Sequence, residues 1–187
     1  MAPVPTAVAV PVKAFARAKM RLSPVLGPQE RAALAARMAE AVLAAARPLP
    51  VYVVCDDPGV AAWAERNDAR VLSTPGLGLN GAVDRALEVL EEMGYDRVVV
   101  AHGDLPLATQ LAWLADVEGV VLVPDRRDDG TNVISLPTGC GFRFAYGPGS
   151  LARHREEAAR TGLPWRVVHD DRLGWDVDLP ADMLGGA

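Results

Sequence analysis

Short apolar segments alternate along this chain with longer segments in which apolar residues recur every three to four positions. The short segments are rich in Val and Ala, and they predict strands at 4–12, 51–55, 70–72, 97–101, 119–123, 132–136, 165–168 and 175–178. The longer segments predict helices at 27–47, 57–67, 80–94, 105–115 and 150–161. This alternation favours an α/β fold with a largely parallel sheet covered by helices on both faces. No internal repeat, low-complexity tract or linker divides the 187 residues, so we expect a single domain over 1–187.

Residues at the predicted helix ends agree with this pattern. Pro28 follows a glycine at the start of the first long helix, and Asp57 precedes a proline at the start of the second. Asn80 and Ser150 are predicted to cap two further helices, because their side chains can accept hydrogen bonds from backbone N–H groups. Gly94 is predicted to end the helix that Asn80 begins.

Charge and cysteine content exclude several classes of protein. The net charge of -5 and the pI near 5.2 argue against a nucleic-acid-binding surface. No apolar run approaches the ~20 residues that span a bilayer, and the first residues lack the basic segment of a signal peptide. Cys55 and Cys140 cannot form a disulfide framework. We therefore expect a cytoplasmic protein with small-molecule partners and no membrane partner; the sequence leaves a monomer and a homo-oligomer equally open.

Basic residues are concentrated in the loop after the first predicted strand. The chain has 17 arginines and two lysines, and both lysines, Lys13 and Lys19, fall in this loop together with Arg17 and Arg21. The loop has neither G-x-G-x-x-G nor G-x-x-x-x-G-K-[ST], which disfavours a Rossmann dehydrogenase and a P-loop kinase. A cationic loop at a strand end suits a polyphosphate, although a solvated surface loop has the same composition. Ligands of such folds collect at the carboxyl ends of strands, so the loops 13–23, 73–80, 102–106 and 124–131 are expected to meet there.

Carboxylates lie after one predicted strand and on another. Asp104 comes directly after the most hydrophobic strand, and Asp176 and Asp178 lie on the last one with a single residue between them. We expect only one of these last two carboxylates to join Asp104 readily. Mg²⁺ needs only one or two carboxylates when substrate phosphates supply other ligands. The alternatives are that Asp104 caps a helix and that the other two acids are solvated.

A second candidate anion site lies in the second half of the chain. Thr131 and Asn132 follow a glycine in a polar turn, and Gly147 and Ser150 begin a helix whose N-terminus favours an anion. His154, one turn into that helix, could add a hydrogen-bond donor. Two separate anion sites would suggest two phosphorylated ligands; the alternative is an ordinary capped helix.

Taken in order, several short motifs resemble those of one family. They are Pro11-Val-Lys13, Ala18-Lys-Met-Arg-Leu22, Pro75-Gly-Leu-Gly-Leu-Asn80, Gly103-Asp-Leu-Pro106, Pro124-Asp-Arg126, Gly130-Thr-Asn132, Phe144-Ala-Tyr-Gly-Pro-Gly-Ser150 with His154, and Asp176-Val-Asp178. The chain is similar to the 2-phospho-L-lactate guanylyltransferase family, also called phosphoenolpyruvate guanylyltransferases. The resemblance implies a GT-A-like, Rossmann-like nucleotidyltransferase fold with a mostly parallel mixed sheet, GTP as co-substrate, Mg²⁺ and a place in coenzyme F420 biosynthesis.

The resemblance also implies roles for individual residues. The GTP phosphates would be held by Lys13, Lys19 and Arg21, and the nucleoside would be contacted by Leu79 and Asn80. Mg²⁺ would be bound by Asp104 and by one or both of Asp176 and Asp178. The acceptor would be bound by Thr131, Asn132, Gly147 and Ser150. Among these, Lys13, Lys19 and Asp104 would be catalytic. The acceptor would be a small phosphorylated carboxylic acid whose phosphate, a dianion at neutral pH, attacks the α-phosphorus of GTP without a general base.

Some positions differ from the family pattern. His102 stands where a small residue is common, Tyr146 and Leu151 replace phenylalanines, and the last Asp-Val-Asp-Leu-Pro lacks a threonine before its proline. The sequence does not distinguish phosphoenolpyruvate, 2-phospho-L-lactate and 3-phosphoglycerate as acceptors. Two other functions stay open: a nucleotidyltransferase of the same fold that acts on a sugar phosphate or molybdopterin, and a non-catalytic nucleotide-binding protein.

Overall fold

The computed structural model describes residues 4–184. Its strands are β1 (Thr6–Pro11), β2 (Val51–Cys55), β3 (Arg70–Ser73), β4 (Arg97–Ala101), β5 (Val120–Pro124), β6 (Thr131–Pro137) and β7 (Trp165–Val167). Its helices are α1 (Pro28–Ala46), α2 (Pro58–Arg66), α3 (Gly78–Glu92) and α4 (Ser150–Arg160). Short 3₁₀ segments lie at Phe15–Arg17, Met20–Leu22, Ala112–Asp116 and Pro180–Leu184. Among the helices of this described part, none has the length and apolar character needed to cross a membrane.

The seven strands form one sheet in the order β3-β2-β1-β4-β6-β5-β7. β6 runs antiparallel to both of its neighbours, and the pairs β1–β2, β1–β4, β2–β3 and β5–β7 are parallel. The predicted mostly parallel mixed sheet is therefore confirmed. The strand order reverses direction between β1 and β4, which is the position where α/β sheets of this kind bind ligands.

Helices bury the two faces of the sheet, and each face has its own apolar core. Alternate side chains of β4 divide between the cores: Val99 packs with α1 and α2, whereas Val98 and Val100 pack with α3 and α4. Both cores consist mainly of Val, Ala and Leu, and such apolar side chains suit strands that are covered on both sides.

The predicted helix ends are partly confirmed. Pro28 begins α1, Asp57 caps α2 by accepting a hydrogen bond from the Val60 N–H at 3.0 Å, and Gly94 follows the last turn of α3 with a φ of 87°. The predicted caps at Asn80 and Ser150 are wrong. α3 begins two residues earlier, at Gly78, so Asn80 lies within its first turn; Gly149, with a φ of 68°, precedes α4, so Ser150 is already helical.

Two predicted elements are absent from the described chain. The segment 105–115 is mostly irregular and has only the 3₁₀ segment Ala112–Asp116, although Leu105, Leu111 and Leu114 are all buried in the core. The segment 175–178 is not a strand. Val177 instead donates a backbone hydrogen bond of 3.3 Å to the carbonyl of Asp104, so this segment crosses the sheet edge rather than extending the sheet.

Candidate functional site

A cavity of about 680 Å³ opens at the carboxyl ends of β1, β2 and β4, where the strand order reverses. Its volume falls within the range of about 300–1,000 Å³ typical of small-molecule sites. The first loop, the start of α3 and the end of β4 all line the cavity, as the strand-end argument predicted. Its polar lining residues include Lys13, Arg17, Lys19, His102, Asp104 and Asp178. The loop 124–131 lies at the same edge of the sheet but does not line this cavity.

Lys19 and Asp104 form an ion pair in this cavity. The Lys19 Nζ atom lies 2.6 Å from Oδ2 of Asp104, and only 9% of the Lys19 side chain is exposed. Lys19 has a left-handed backbone, with φ 54° and ψ 40°, between the two 3₁₀ segments of the first loop. Such a conformation costs a non-glycine residue about 1–3 kcal/mol, so the surrounding loop must hold it in place.

Electrostatics keeps Asp104 ionised. Burial alone would raise the pKa of Asp104, but the Lys19 ammonium, with a smaller contribution from His102, lowers that pKa below its ordinary value. Its second oxygen, Oδ1, is buried and has no hydrogen-bond partner among residues 4–184. One oxygen of the carboxylate is therefore paired, and the other is available to a ligand.

The segment that carries Asp176 and Asp178 is attached to Asp104 through the Val177–Asp104 backbone bond described above. Asp178 lines the cavity, and its Oδ2 atom accepts a hydrogen bond of 2.5 Å from Arg21. The pKa of Asp176 is raised by burial and by the neighbouring charge of Asp104. The Asp176 Oδ1 atom is also buried, without a partner in the described chain. The segment is irregular, and residues two apart would share a face even in a strand, so backbone geometry does not separate these two carboxylates.

Asp182 anchors the backbone of this segment through hydrogen bonds. Its carboxylate accepts backbone hydrogen bonds from Asp178 at 2.8 Å and from Leu179 at 2.7 Å, and it pairs with both Arg126 and Arg127. Burial would raise the pKa of Asp182, but these N–H groups and the two guanidinium groups lower it to about 2. Asp182 therefore fixes the backbone next to Asp178.

The cations predicted in the first loop differ in their environments. Lys13 is exposed and lines the cavity, as does Arg17. Arg21 is exposed as well, and its guanidinium group is paired with Asp178. The loop thus places Lys13 at the cavity mouth and the ammonium of Lys19 inside the cavity.

The two residues assigned to the nucleoside lie in different surroundings. Leu79 lines the cavity. Asn80 instead binds the backbone of Tyr146: its Oδ1 accepts from the Tyr146 N–H at 2.7 Å, and its Nδ2 donates to the Tyr146 carbonyl at 3.4 Å. In this structure Asn80 connects α3 to the loop before α4, and a nucleoside contact by its side chain stays a prediction.

The residues assigned to the acceptor lie beside the cavity rather than in its lining. Thr131 and Ser150 are each 2% exposed, and the Asn132 side chain donates to the Leu173 carbonyl at 2.9 Å. Gly147 is exposed, with a φ of 124°, a conformation that disfavours any larger residue. These four residues are neighbours around the start of β6 and α4, and their role toward an acceptor stays a prediction.

An acidic residue already occupies the N-terminus of α4. The Oδ2 atom of Asp129 accepts a hydrogen bond of 3.0 Å from the Gly149 N–H, and its carbonyl accepts another from the Leu151 N–H. This contact is not predicted by the sequence pattern, although Asp128-Asp129-Gly130 precedes the strand. Because Asp129 uses these donors, the start of α4 is not an open anion site in this structure.

His154 is buried and acts as a neutral hydrogen-bonding group. Burial lowers the pKa of His154 to about 4. Its Nε2 atom accepts from the Ala145 N–H at 2.9 Å, so the ring proton lies on Nδ1, which donates to Thr131 Oγ1 at 2.9 Å. The Thr131 oxygen is thus an acceptor toward His154, and its own proton remains free to be donated.

The fold is that of the nucleotidyltransferase class. A solved nucleotidyl transferase from Methanothermobacter superposes with a TM-score of 0.68 at 16% identity, over 96% of this chain and 94% of that one. A candidate nucleotide-diphospho-sugar transferase of Desulfovibrio desulfuricans superposes with a TM-score of 0.77 at 19% identity, over 96% and 85% of the two chains.

Sequence comparison specifies the family. The family model described as "Guanylyl transferase CofC like" matches residues 6–185, and the chain belongs to this family. It is 36% identical to a phosphoenolpyruvate guanylyltransferase of Sphaerobacter thermophilus, over 95% of this chain and 90% of that protein. It is 35% identical to the protein of the same name from Rubrobacter xylanophilus, over 93% and 89% of the two chains.

Proposed function

We propose that this protein transfers GMP from GTP to the phosphate of phosphoenolpyruvate and releases pyrophosphate, as a step of coenzyme F420 biosynthesis. The observation that carries the proposal is the Lys19–Asp104 pair inside a cavity at the switch point of a nucleotidyltransferase fold. Family membership and the names of relatives that cover most of the chain support the guanylyl group and this acceptor.

Lys13, Lys19 and Arg21 are the groups that would bind the GTP phosphates. Lys13 and Lys19 line the cavity, and Arg21 lies next to it through its contact with Asp178. Lysine ammonium groups bind phosphate oxygens as mobile point charges, whereas the planar guanidinium group can bind two oxygens at once. In the mechanism, these cations hold the triphosphate so that the α-phosphorus faces the acceptor, and they stabilise charge on the departing pyrophosphate.

The carboxylates fit a divalent cation. Within residues 4–184 no group of three or more acidic, His or Cys side chains could hold an ion alone, which suits an ion that shares its ligands with substrate phosphates. Asp104 and Asp176 each have one buried oxygen without a partner in that range, and these are the atoms that would hold Mg²⁺. Asp178 would join them once Arg21 turns to a phosphate. Bound Mg²⁺ would supply Lewis-acid stabilisation of phosphoryl oxygens.

The reaction requires positioning more than proton transfer. The acceptor phosphate has a second pKa of about 6, so it is already a dianion at neutral pH and needs no general base. The neutral state of His154 agrees with this, because its single ring N–H donates to Thr131 and its other ring nitrogen accepts from the Ala145 N–H. The acceptor oxygen attacks the α-phosphorus, and the bond from this phosphorus to the pyrophosphate oxygen breaks in line.

Thr131, Asn132, Gly147 and Ser150 are retained as the proposed acceptor site, which an anion would enter only if the Asp129 carboxylate released the Gly149 N–H. They lie at the start of β6 and α4, across the edge of the sheet from Asp104. The His102 N–H donates to the Asn132 carbonyl at 3.0 Å, and this bond connects the end of β4, which carries Asp104, to the acceptor side.

A pyrophosphate-release assay with a panel of acceptors tests the function. The full chain is incubated with Mg²⁺, GTP and one acceptor at a time: phosphoenolpyruvate, 2-phospho-L-lactate, 3-phosphoglycerate, glucose 1-phosphate or molybdopterin. We expect release with GTP and phosphoenolpyruvate and little with ATP or CTP. Turnover only with the sugar phosphate or molybdopterin would contradict the proposal, and GTP binding without turnover of any acceptor would favour a non-catalytic nucleotide-binding protein.

A further inference from the structure

The half of the cavity on the side of β2 and β3 is separate from the groups assigned to phosphates and metal. It is lined by the ends of these two strands and the start of α3, with Val54, Cys55, Asp56, Thr74, Leu79 and Ala82. The phosphate and metal groups come instead from the first loop, the end of β4 and the last segment. β2 and β4 pair with opposite edges of β1, so their carboxyl ends lie about 10 Å apart, which is two inter-strand spacings. A nucleoside monophosphate can span this distance from its phosphorus to the far edge of its base.

Apolar side chains bound this half of the cavity from both faces of the sheet, and we call the space between them the base slot. Val12 and Phe15 line the cavity and pack against the core beneath α1 and α2. Leu79 and Ala82 line it as well and pack against the core beneath α3 and α4. The Phe15 ring is held edge-on by Trp63 of α2, with centroids 5.1 Å apart. Apolar walls on two sides suit a flat aromatic ring such as a nucleobase.

Asp56 places a carboxylate in the base slot. It comes directly after β2, is exposed and lines the cavity. Its neighbour Asp57 uses its own carboxylate to cap α2. The other carboxylates of the cavity lining, Asp104 and Asp178, are paired with cations of the first loop, whereas no ion pair among residues 4–184 involves Asp56. The oxygens of Asp56 are therefore available to a ligand.

The chemistry of a carboxylate determines which base it can recognise. An ionised carboxylate only accepts hydrogen bonds, and its two oxygens can accept from two neighbouring donors at once. Guanine presents such a pair of donors, the N1–H and the 2-amino group. Adenine and cytosine have an acceptor nitrogen at the corresponding ring position, which would face the carboxylate without a proton. A site that must pair its polar groups rejects a ligand that leaves them unpaired far more strongly than an apolar pocket does.

We propose that Asp56 selects guanine, its carboxylate accepting from the N1–H and the 2-amino group of a base that lies between Phe15 and Leu79. The assignment rests on the proposed function and deepens it, because it names the group that would distinguish GTP from other nucleotides. With the base at Asp56, the triphosphate extends across the end of β1 toward Lys13 and Asp104.

Binding of four nucleotides tests the role of Asp56 without turnover. Wild type, Asp56→Asn and Asp96→Asn are titrated calorimetrically with GTP, ITP, XTP and ATP in the presence of Mg²⁺ and without an acceptor. Wild type should bind GTP most tightly and ITP less tightly, because inosine lacks the 2-amino group. Asp96 is the matched control, since it is exposed just before β4 at the opposite edge of the sheet, and its variant should keep the wild-type order.

Asp56→Asn should reverse the preference between GTP and XTP. The asparagine oxygen can still accept from N1–H, and its amide can donate to the 2-oxo group that xanthine carries in place of the 2-amino group. We expect GTP affinity to fall roughly ten- to a hundredfold, as for the loss of a hydrogen bond to a charged group, and XTP to bind more tightly than GTP. A gain for XTP cannot arise from a damaged fold.

The outcomes separate the role of Asp56 from the proposed function. Unchanged GTP affinity in Asp56→Asn, an equal loss for all four nucleotides, or a wild type that binds ATP as tightly as GTP would overturn the assignment. GMP transfer to phosphoenolpyruvate with a base preference that Asp56→Asn does not alter would leave the proposed function standing without it. Reversed preference in a protein that transfers no GMP would contradict the proposed function and leave Asp56 as the guanine ligand.

Discussion

The ammonium of Lys19 contacts the carboxylate of Asp104 at 2.6 Å, although 85 residues separate them in sequence. This contact joins the first loop to the end of β4 across the switch point of the sheet. It neutralises a buried carboxylate when no ligand is bound, and it leaves Oδ1 of Asp104 without a partner in residues 4–184. When substrate enters, the Lys19 ammonium can thus bind a phosphate and the Asp104 carboxylate can bind a cation.

Asp104→Asn should abolish turnover while the protein stays folded. The amide keeps the volume of the side chain but removes the charge that would hold a cation, and we expect pyrophosphate release to fall by at least about a hundredfold. Asp96→Asn is the control, since Asp96 is exposed just before β4. Circular dichroism checks the fold, and unchanged release by Asp104→Asn would rule out the metal role.

Lys19→Ala should cost more activity than Arg17→Ala. Both residues line the cavity, but only the Lys19 side chain is buried against Asp104. Losing this charged contact to a phosphate should reduce kcat/KM roughly ten- to a hundredfold, whereas the Arg17 variant should lose only a fewfold. Steady-state kinetics with GTP as the varied substrate compares them; equal losses would argue against Lys19 as a phosphate ligand.

Thr131→Val and Ser150→Ala should each weaken binding of the acceptor and leave the affinity for GTP unchanged. Loss of one hydrogen bond to a charged group should lower the acceptor affinity roughly ten- to a hundredfold. Thr131→Ser retains a hydroxyl and should recover most of the affinity lost in Thr131→Val. Titration with GTP and with phosphoenolpyruvate separates the two ligands, and a fall in GTP affinity alone would show that the two anion sites are assigned the wrong way round.

Asp182→Asn should reduce stability in a pH-dependent way. The folded pKa of about 2 lies below the ordinary value of 3.8, so ionisation of Asp182 favours the folded state above about pH 4, and this contribution is lost as the pH falls toward 2. The variant should lose roughly 2 kcal/mol of unfolding free energy at pH 7. The difference from wild type should disappear near pH 2.

Urea unfolding across this pH range measures the effect, and the surface pair of Arg47 and Asp68 provides a control. The Asp68 side chain is 85% exposed and lies 3.4 Å from Arg47, so Asp68→Asn should change stability by no more than about 1 kcal/mol at any pH. A wild-type–variant difference for Asp182 that does not depend on pH would mean that packing, rather than charge, holds the last segment.

The sequence was sufficient to predict the parallel sheet and the meeting of Lys13, Lys19 and Asp104, because apolar periodicity and the strand-end rule depend on local pattern. It did not predict that 175–178 leaves the sheet, since that depends on a backbone bond between Val177 and Asp104. The tertiary partners of Asn80 and Asp129 likewise became visible only in the structure, because both side chains act on backbone groups distant in sequence.

The fate of the acceptor oxygens tests the central claim most directly. Wild-type protein is incubated with Mg²⁺, GTP and phosphoenolpyruvate whose phosphate oxygens carry ¹⁸O, and the products are analysed by mass spectrometry. Attack of the acceptor phosphate on the α-phosphorus predicts a diphosphate-linked conjugate of guanosine and enolpyruvate that retains all of the label, together with unlabelled pyrophosphate in equal amount. Release of GDP, or a conjugate or pyrophosphate with any other distribution of the label, would contradict the account.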